Sequence, residues 1–507
     1  MPGKNRFWTG RHPTLVGLAG FQYLAAKVTE RKDQGRDLWE PFEVDGTPDN
    51  ILPYVSEFIF PKTGTPVEER YVLAYRLSKR FLQREIPDQG KTVLSGRAEG
   101  VRWKFPVEFG EVHLFFFRSG IGILMFRVTL RNGITTIGET RSEHNVETQR
   151  PLGLDELIVF NWLFSRCRRQ LRRHYEQVGE PESRDDGGAI ADDRNWERRA
   201  TYFRSFWPKR EPKEKLWHLD ELTDGLLEPI VGRKEETWKA VDDTRLLGYT
   251  FALLERRNKQ GELVAIPYSE IRQPLFWLRQ YSNKSHLPAS SDLRLRGNPE
   301  ILQTYKNIYF GMSSEGSAVL AWHLGDPFIK NQLRDKIEHN YFIPFLIAVH
   351  QRLATMHLAE LIGQSSYLRH SEKPTDRKLA AEIRRLRTRV FEFIICCWFA
   401  DVSSSRVYTR VYQAWQRVFE AGALLEEVKN EVAELDDYLE RVEMKGQTTT
   451  INILTLLMLP VTLWMSFWGM NFSQFQDLSF WWWPVRVSAA AVVVGFGGWF
   501  WWSMRSR

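Results

Sequence analysis

Hydroxyl and amide side chains recur at helical spacing toward the C-terminal end of the chain. Thr448, Asn452, Thr455, Thr462 and Ser466 follow one another at steps of four, three, seven and four. Those steps put the oxygens on one face of a helix. A row of neutral oxygens can bond a partner helix or line an aqueous path for a hydrated ion, and polar groups in an apolar segment turn to one or the other rather than to lipid. Just upstream, Glu426, Glu427, Glu431, Glu434, Asp436, Asp437, Glu440 and Glu443 crowd a few turns, with Lys429 and Arg441 alone against them. Such a band is either a solvated helix face or, repeated in several copies, a field that concentrates cations.

The elements that must carry these residues follow from the hydrophobic pattern. Residues 451–468 hold no ionisable side chain over about the length that a bilayer span needs. Residues 480–502 are longer and carry one charge, Arg486, near one end. The connection, 469–479, is too short for a domain, so the two spans are expected to form an antiparallel hairpin. Arg441 and Lys445 flank the first span, Arg505 and Arg507 follow the second, and the connection has no Lys or Arg. The positive-inside rule then places both termini on the cytoplasmic side of the cell inner membrane. Trp481, Trp482 and Trp483 on one side and Trp499, Trp501 and Trp502 on the other would make the interfacial belts. Upstream, after Ser403-Ser404-Ser405, apolar residues from Val407 through Val411, Trp415, Val418, Leu425, Val428, Val432 and Leu435 to Val442 trace a heptad seam. No proline follows before Pro460, so one unbroken stalk helix is expected to run on into the apolar segment.

The rest of the chain reads as mixed α/β. Residues 1–178 contain a hairpin, 111–118 with 121–130 around Ser119-Gly120, and a helix over 155–177. Residues 179–214 are a polar linker or long loop, and 215–328 return to mixed structure with strands at 246–254 and 318–323. A helical pair over 329–402, with helices at 329–367 and 376–400, precedes the stalk (403–450), the two spans around loop 469–479, and a basic tail at 503–507. The expected fold class is thus an α/β cytosolic domain followed by a long helical stalk and two C-terminal transmembrane helices.

Composition narrows the classes. At 507 residues with 26% charged, most of the mass must be water-soluble, yet eight of the 20 Trp fall between Trp464 and Trp502. Three cysteines, Cys167, Cys396 and Cys397, make no disulfide framework. A net charge of +7 is mild for this length, so no nucleic-acid partner is expected. Met1 to Gly20 lacks a continuous apolar stretch, so no cleavable signal is expected. Gly90-Lys91-Thr92 is no phosphate loop, since Glu85 stands where its leading glycine should be. His339, His350 and His357 lack the spacing of a metalloprotease helix and read as ordinary polar or core residues. The basic, aromatic stretch 204–215 reads as a solvated or headgroup-facing loop. With no hydrolytic motif, the chain is expected to be no enzyme and to need no organic cofactor.

Residues 450–472 (TINILTLLMLPVTLWMSFWGMNF) resemble the first transmembrane helix of the CorA magnesium-channel superfamily. There a proline, and a threonine two residues on, precede an aromatic residue followed by GMN; here these are Pro460, Thr462, Trp468 and Gly469-Met470-Asn471. Trp468 stands where the family most often has Tyr. The resemblance implies a homopentameric funnel around one central pore. It also implies a selectivity filter of Gly469, Met470 and Asn471. The Asn471 amides and Gly469 carbonyls would hold a hydrated cation by its waters, because Mg²⁺ sheds them reluctantly, while Met470 shapes the turn. Thr448, Ile451, Thr455, Leu459, Thr462 and Ser466 fall at the family's pore-facing positions, and Asn452 joins them on the polar stripe. Ile451 and Leu459 would be constrictions that close by dewetting.

Asp477, the one acidic residue of the outer loop, would attract cations. Lys445, near the inner mouth, departs from what a cation pore wants. The implied function is passive passage of Mg²⁺, or of Co²⁺ or Ni²⁺, with lipid, further copies of the chain and divalent cations as partners. Mg²⁺ would also be a regulatory ion for the band Glu431, Glu434, Asp436, Asp437, Glu440 and Glu443. Two alternatives stay open. One is a zinc-handling branch of the superfamily, which usually shows GIN in place of GMN. The other is a pore-forming effector gated by a small nucleotide-type messenger bound to the enlarged soluble region.

Overall fold

Around Ser119-Gly120 the chain is apolar on both sides, and these residues form the central hairpin of a large sheet: β5 (Val101–Phe117) and β6 (Ile121–Leu130). Gly120 takes φ +89°, a conformation that L side chains avoid, and its N–H donates to the Phe117 carbonyl at 2.9 Å. The computed structural model describes residues 2–10, 38–42, 50–62, 64–79, 93–98, 101–139, 145–165, 223, 226–228, 230–231, 238–240, 246–368 and 376–469. The chain divides into two compact units, Met1–Pro374 with Arg384–Lys429 and Thr375–Ile383 with Asn430–Arg507.

The first unit holds the sheet. Its other strands are β1 (Pro2–Gly10), β2 (Trp39–Pro41), β3 (Val72–Leu77), β4 (Val93–Ala98), β7 (Ile134–Glu139), β8 (Asn145–Arg150), β9 (Trp238–Ala240), β10 (Leu247–Leu254), β11 (Ile301–Tyr305), β12 (Ile308–Met312) and β13 (Gly316–Trp322). The main order is β11-β12-β13-β10-β1-β6-β5-β3-β2, with β4 and β7 also on β5, β8 on β7 and β9 on β1. Every pairing is antiparallel except that of β10 with β13. Strands β12 and β13 are buried along their whole length, as apolar strands covered on both faces must be. Helices α1 (Pro53–Ile59), α2 (Leu154–Ser165) and α3 (Tyr268–Gln280) belong to this region, and Ile271, Leu275 and Leu278 of α3 are buried in the core with Leu320 and Trp322.

The parallel pair β10–β13 depends on one tyrosine. Tyr281, the C-cap of α3, has φ +49°, and its ring lies over the register partners Gly248 and Gly316. A Cβ on Gly248 would sit 1.7 Å from the Tyr281 ring, and one on Gly316 2.4 Å from it. The Tyr281 hydroxyl and Thr250 Oγ1 bond at 2.6 Å, and Asn161 Nδ2 donates to the same Oγ1 at 2.9 Å.

After β13 the chain is helical. The helix expected over 329–367 is three: α4 (Pro327–Asn331), α5 (Leu333–Glu338) and α6 (Phe342–Leu368). Asp326 caps α4 by accepting from the Phe328 N–H at 2.9 Å, and α5 ends where the Tyr341 N–H turns back to the Lys336 carbonyl. Then come α7 (Asp376–Cys397), α8 (Arg406–Val418) and α9 (Ala421–Gly469). The unbroken stalk expected from residue 403 is therefore corrected. It breaks at Glu420, φ +53°, just past Phe419, whose buried ring lies under the Arg352 guanidinium of α6 at 5.2 Å, and the helix restarts where the Leu424 N–H donates to the Glu420 carbonyl at 3.0 Å. Beyond the break the heptad seam is real, with Leu425, Val428, Val432 and Leu435 all buried.

The expected fold class needs correction too. Among the described residues no helix is long and apolar enough to cross a membrane. The described chain is a mixed α/β unit followed by helices, the last of them 49 residues long, in place of a domain carrying two transmembrane helices in a homopentameric funnel. Residues 470–507, and with them the expected second span, lie outside the described residues.

Candidate functional site

The polar stripe is carried by α9, and the helix gives it a simple geometry. Thr448, Asn452, Thr455, Leu459, Thr462 and Ser466 advance at the helical repeat of 3.6 residues, so they form one straight line about 27 Å long. Ile451 stands beside Asn452 on the same face. All seven side chains are exposed. Every described side chain from Ile451 to Ser466 is exposed, Ile451 by 61% and Leu459 by 55%.

Two hydroxyls of the stripe show how its protons are used. Thr448 Oγ1 donates to the Met444 carbonyl and Thr462 Oγ1 to the Met458 carbonyl, both at 2.8 Å. A threonine bonded back to the carbonyl four residues earlier has no proton left to offer outward. It presents lone pairs alone. These two oxygens accept hydrogen bonds from the waters around a cation, while the Asn452 amide between them offers both an acceptor oxygen and donor N–H groups.

The acidic band lies on the same helix. Glu434, Asp437 and Glu440 are exposed, Glu431 and Asp436 are half-buried, and the side chain of Glu443 lies outside the described residues. Lys429 pairs with Glu426 at 2.7 Å, and Arg441 Nε donates to the Asp437 carbonyl at 3.1 Å. Among the described residues no group of three or more His, Cys, Asp or Glu side chains gathers to hold a metal ion. Gly469 is the last residue of α9. Met470, Asn471 and Asp477 lie outside the described residues, as do Gly90-Lys91-Thr92 and residues 179–214.

Of the histidines, His350 is fully buried, stacked on Phe117 at 3.9 Å, with Nε2 bonded to Ser119 Oγ at 2.9 Å. Burial pushes its pKa down to about 3, which keeps it neutral. His357 is also buried and shifted the same way by desolvation. Both are core residues, as expected. Sequence pattern does not mark the pair of buried His113 and half-exposed Glu111. Burial lowers His113, whose Nε2 donates to Glu111 at 3.1 Å and holds that carboxyl at about 2. Nor does it mark Arg279, fully buried, which meets Glu300 at 2.5 Å and donates to the Asp292 carbonyl at 3.3 Å. Both pairs join residues whose alternation looks like any half-exposed strand or helix.

No family model matches this chain, and a comparison with curated proteins finds no match.

Proposed function

We propose that the chain is a membrane channel for divalent metal cations, passing Mg²⁺, or Co²⁺ or Ni²⁺, passively down their gradient. The observation that carries this reading is the exposed line of acceptor oxygens on α9, with the Thr448 and Thr462 protons committed to helix carbonyls. A hydrated divalent cation turns only O–H donors outward, and the Thr448 and Thr462 hydroxyls and the Asn452 amide oxygen can answer them with lone pairs. Neutral oxygens hold such an ion weakly enough to release it. One helix encloses nothing, so several copies of the chain must surround the path, each turning its stripe inward. Lipid of the cell inner membrane would cover the remaining apolar surface, since an exposed segment this apolar needs a cover. Gly469-Met470-Asn471, where the chain resembles the CorA channels, then becomes a ring of amide and carbonyl oxygens at one mouth. Repeated in each copy, the acidic band would raise the local cation concentration at the other.

The test is Mg²⁺ flux into liposomes that hold the purified full chain, beside Asn471→Ala. The expected outcome is flux in the wild type and a loss of Mg²⁺ selectivity over monovalent ions in the variant. Unchanged selectivity in Asn471→Ala would remove the ring, and no flux of any divalent ion would remove the channel.

A further inference from the structure

The large sheet has a gap in it. Pro2, the first described residue of β1, stands opposite Thr250 of β10, and Gly3 stands opposite Arg127 of β6. Past that level β6 and β10 run on with no strand between them among the described residues. Residues 128–130 of β6 keep β5 on their far edge, and residues 252–254 of β10 keep β13 on theirs. Strands on either side of a missing one stand about 10 Å apart, and a cavity of about 510 Å³ opens here. It is lined by Thr129 and Leu130 from β6 and by Phe251, Ala252, Leu253 and Leu254 from β10. Successive residues of a strand point to opposite faces, so a lining that takes four in a row follows the edge of the strand.

Helices close one side of the gap. Leu157 of α2 and Ile271 of α3, with Leu130 and Ile266, make a buried apolar floor. Leu152 and Leu253, 40% and 37% exposed, line it nearer the water. The volume lies within the range of sites that take drug-sized ligands. Three charged side chains, Glu255, Arg256 and Glu270, complete the lining, and all three are paired. Arg256 Nη1 donates to both carboxylate oxygens of Glu270, at 2.7 and 2.8 Å. Glu255 bonds His323 Nε2 through Oε1 at 3.0 Å and accepts from Arg257 at Oε2 at 3.4 Å. An ion of either sign would give up its water for a lining whose charges already answer one another, a desolvation that nothing there offsets. A neutral apolar body has no such cost and gains from covering leucine and isoleucine surface.

We propose that this gap is a binding site for a small neutral apolar molecule, seated on Leu130, Leu157 and Ile271 and entered past Leu152 and Leu253. An added strand fits it less well, because residues 128–130 and 252–254 offer shorter edges than the about five or six residues typical of a strand. The site is independent of the channel reading. A nucleotide is not its ligand, since phosphates need a cationic partner and Arg256 already has its carboxylate.

The probes are 4-phenylbutanol, phenylbutylammonium and phenylbutyrate, one apolar body with no charge or with either charge, titrated calorimetrically against the full chain. The alcohol is expected to bind about tenfold or more tighter than either ion. Leu253→Trp adds bulk at the mouth on a position already exposed and should weaken alcohol binding by about tenfold while leaving thermal melting unchanged. Leu152→Trp should do the same, and it decides the matter if the first variant does not fold. Glu270→Gln takes the carboxylate from Arg256 and should tighten phenylbutyrate by about tenfold, the value of one charge-assisted contact. Either ion binding as tightly as the alcohol, no binding of any probe, alcohol binding untouched by both Trp variants, or phenylbutyrate unmoved by Glu270→Gln would each overturn the proposal.

Discussion

Helix α6 and the C-terminal part of α9 are both apolar helices with polar residues set among the apolar ones, and their surroundings are opposite. Every residue from Ile343 to Gln351 of α6 is buried, while every described side chain from Ile451 to Ser466 of α9 is exposed. In α6 the polar groups find partners inside the chain. Gln351 Nε2 donates to the Cys397 carbonyl at 2.9 Å and to Tyr412 at 2.7 Å, Tyr412 donates to the Phe399 carbonyl at 3.0 Å, and Gln416 joins from α8. Thr355 bonds back to the Gln351 carbonyl, as Thr448 and Thr462 do on α9. The difference lies in the outward face. Where α6 spends its polar atoms on α7 and α8, the polar side chains of α9 from Asn452 to Ser466 are exposed. An apolar helix with a satisfied polar network is a core; an apolar helix with an outward row of acceptors awaits something from outside.

The sharpest way to break this comparison is a pair of truncations. Trp415, fully buried under Phe345 and Phe419, should on Trp415→Ala destabilise the first unit by about 3–5 kcal/mol. Leu459→Ala on α9 should shift the same denaturant melt by less than about 0.5 kcal/mol. Equal losses would mean that α9 is as buried as α6, and the contrast would fail.

Next in size is the polar network. Gln351→Leu takes away the Cys397 carbonyl's bond to Gln351 and leaves the Tyr412 hydroxyl with the Phe399 carbonyl and Gln416, and should cost about 1–3 kcal/mol. Asn452→Leu removes an outward amide and should leave melting within about 0.5 kcal/mol while lowering divalent flux in liposomes. A large melting loss in Asn452→Leu would place that amide in a folded contact and take it off the ion path.

A third effect is one of pH. His350 has a folded pKa of about 3 against 6.5 when unfolded. Both states are neutral above pH 6.5; as pH falls below it, the unfolded chain takes up a proton that the folded chain refuses. Stability is then lost at up to about 1.4 kcal/mol per pH unit between those values. Glu111, lowered from 4.5 to about 2, acts with the same sign at lower pH, since the unfolded carboxyl protonates first. Urea melts across pH 4.5 to 6.5 measure the slope, and His350→Phe should flatten it. An unchanged slope in that variant would assign the acid sensitivity elsewhere.

Four of the thirteen strands, β5, β6, β10 and β13, were legible because their signals are local. Ser119-Gly120 between two apolar runs makes a hairpin in any context, and the runs that became β10 and β13 need only their own β-branched and aromatic content. The break at Glu420 was hidden, because no proline or glycine stands at that position, and the packing of Arg352 over the Phe419 ring beside it exists only once α6 and α8 meet. For the candidate site the line on α9 could be read, since periodicity belongs to the helix itself. Whether the acidic residues converge is a property of assembled copies.

The tyrosine ring over the parallel pair has a consequence for variation. Positions 248, 281 and 316 are steric partners, so they cannot drift independently in any lineage of this chain. A side chain larger than hydrogen at 248 or 316 becomes tolerable only after the ring at 281 has shrunk, and with the ring goes its bond to Thr250. Gly248→Ala should therefore be rescued by Tyr281→Ala more than either change predicts alone, a sign of epistasis written into two missing Cβ atoms.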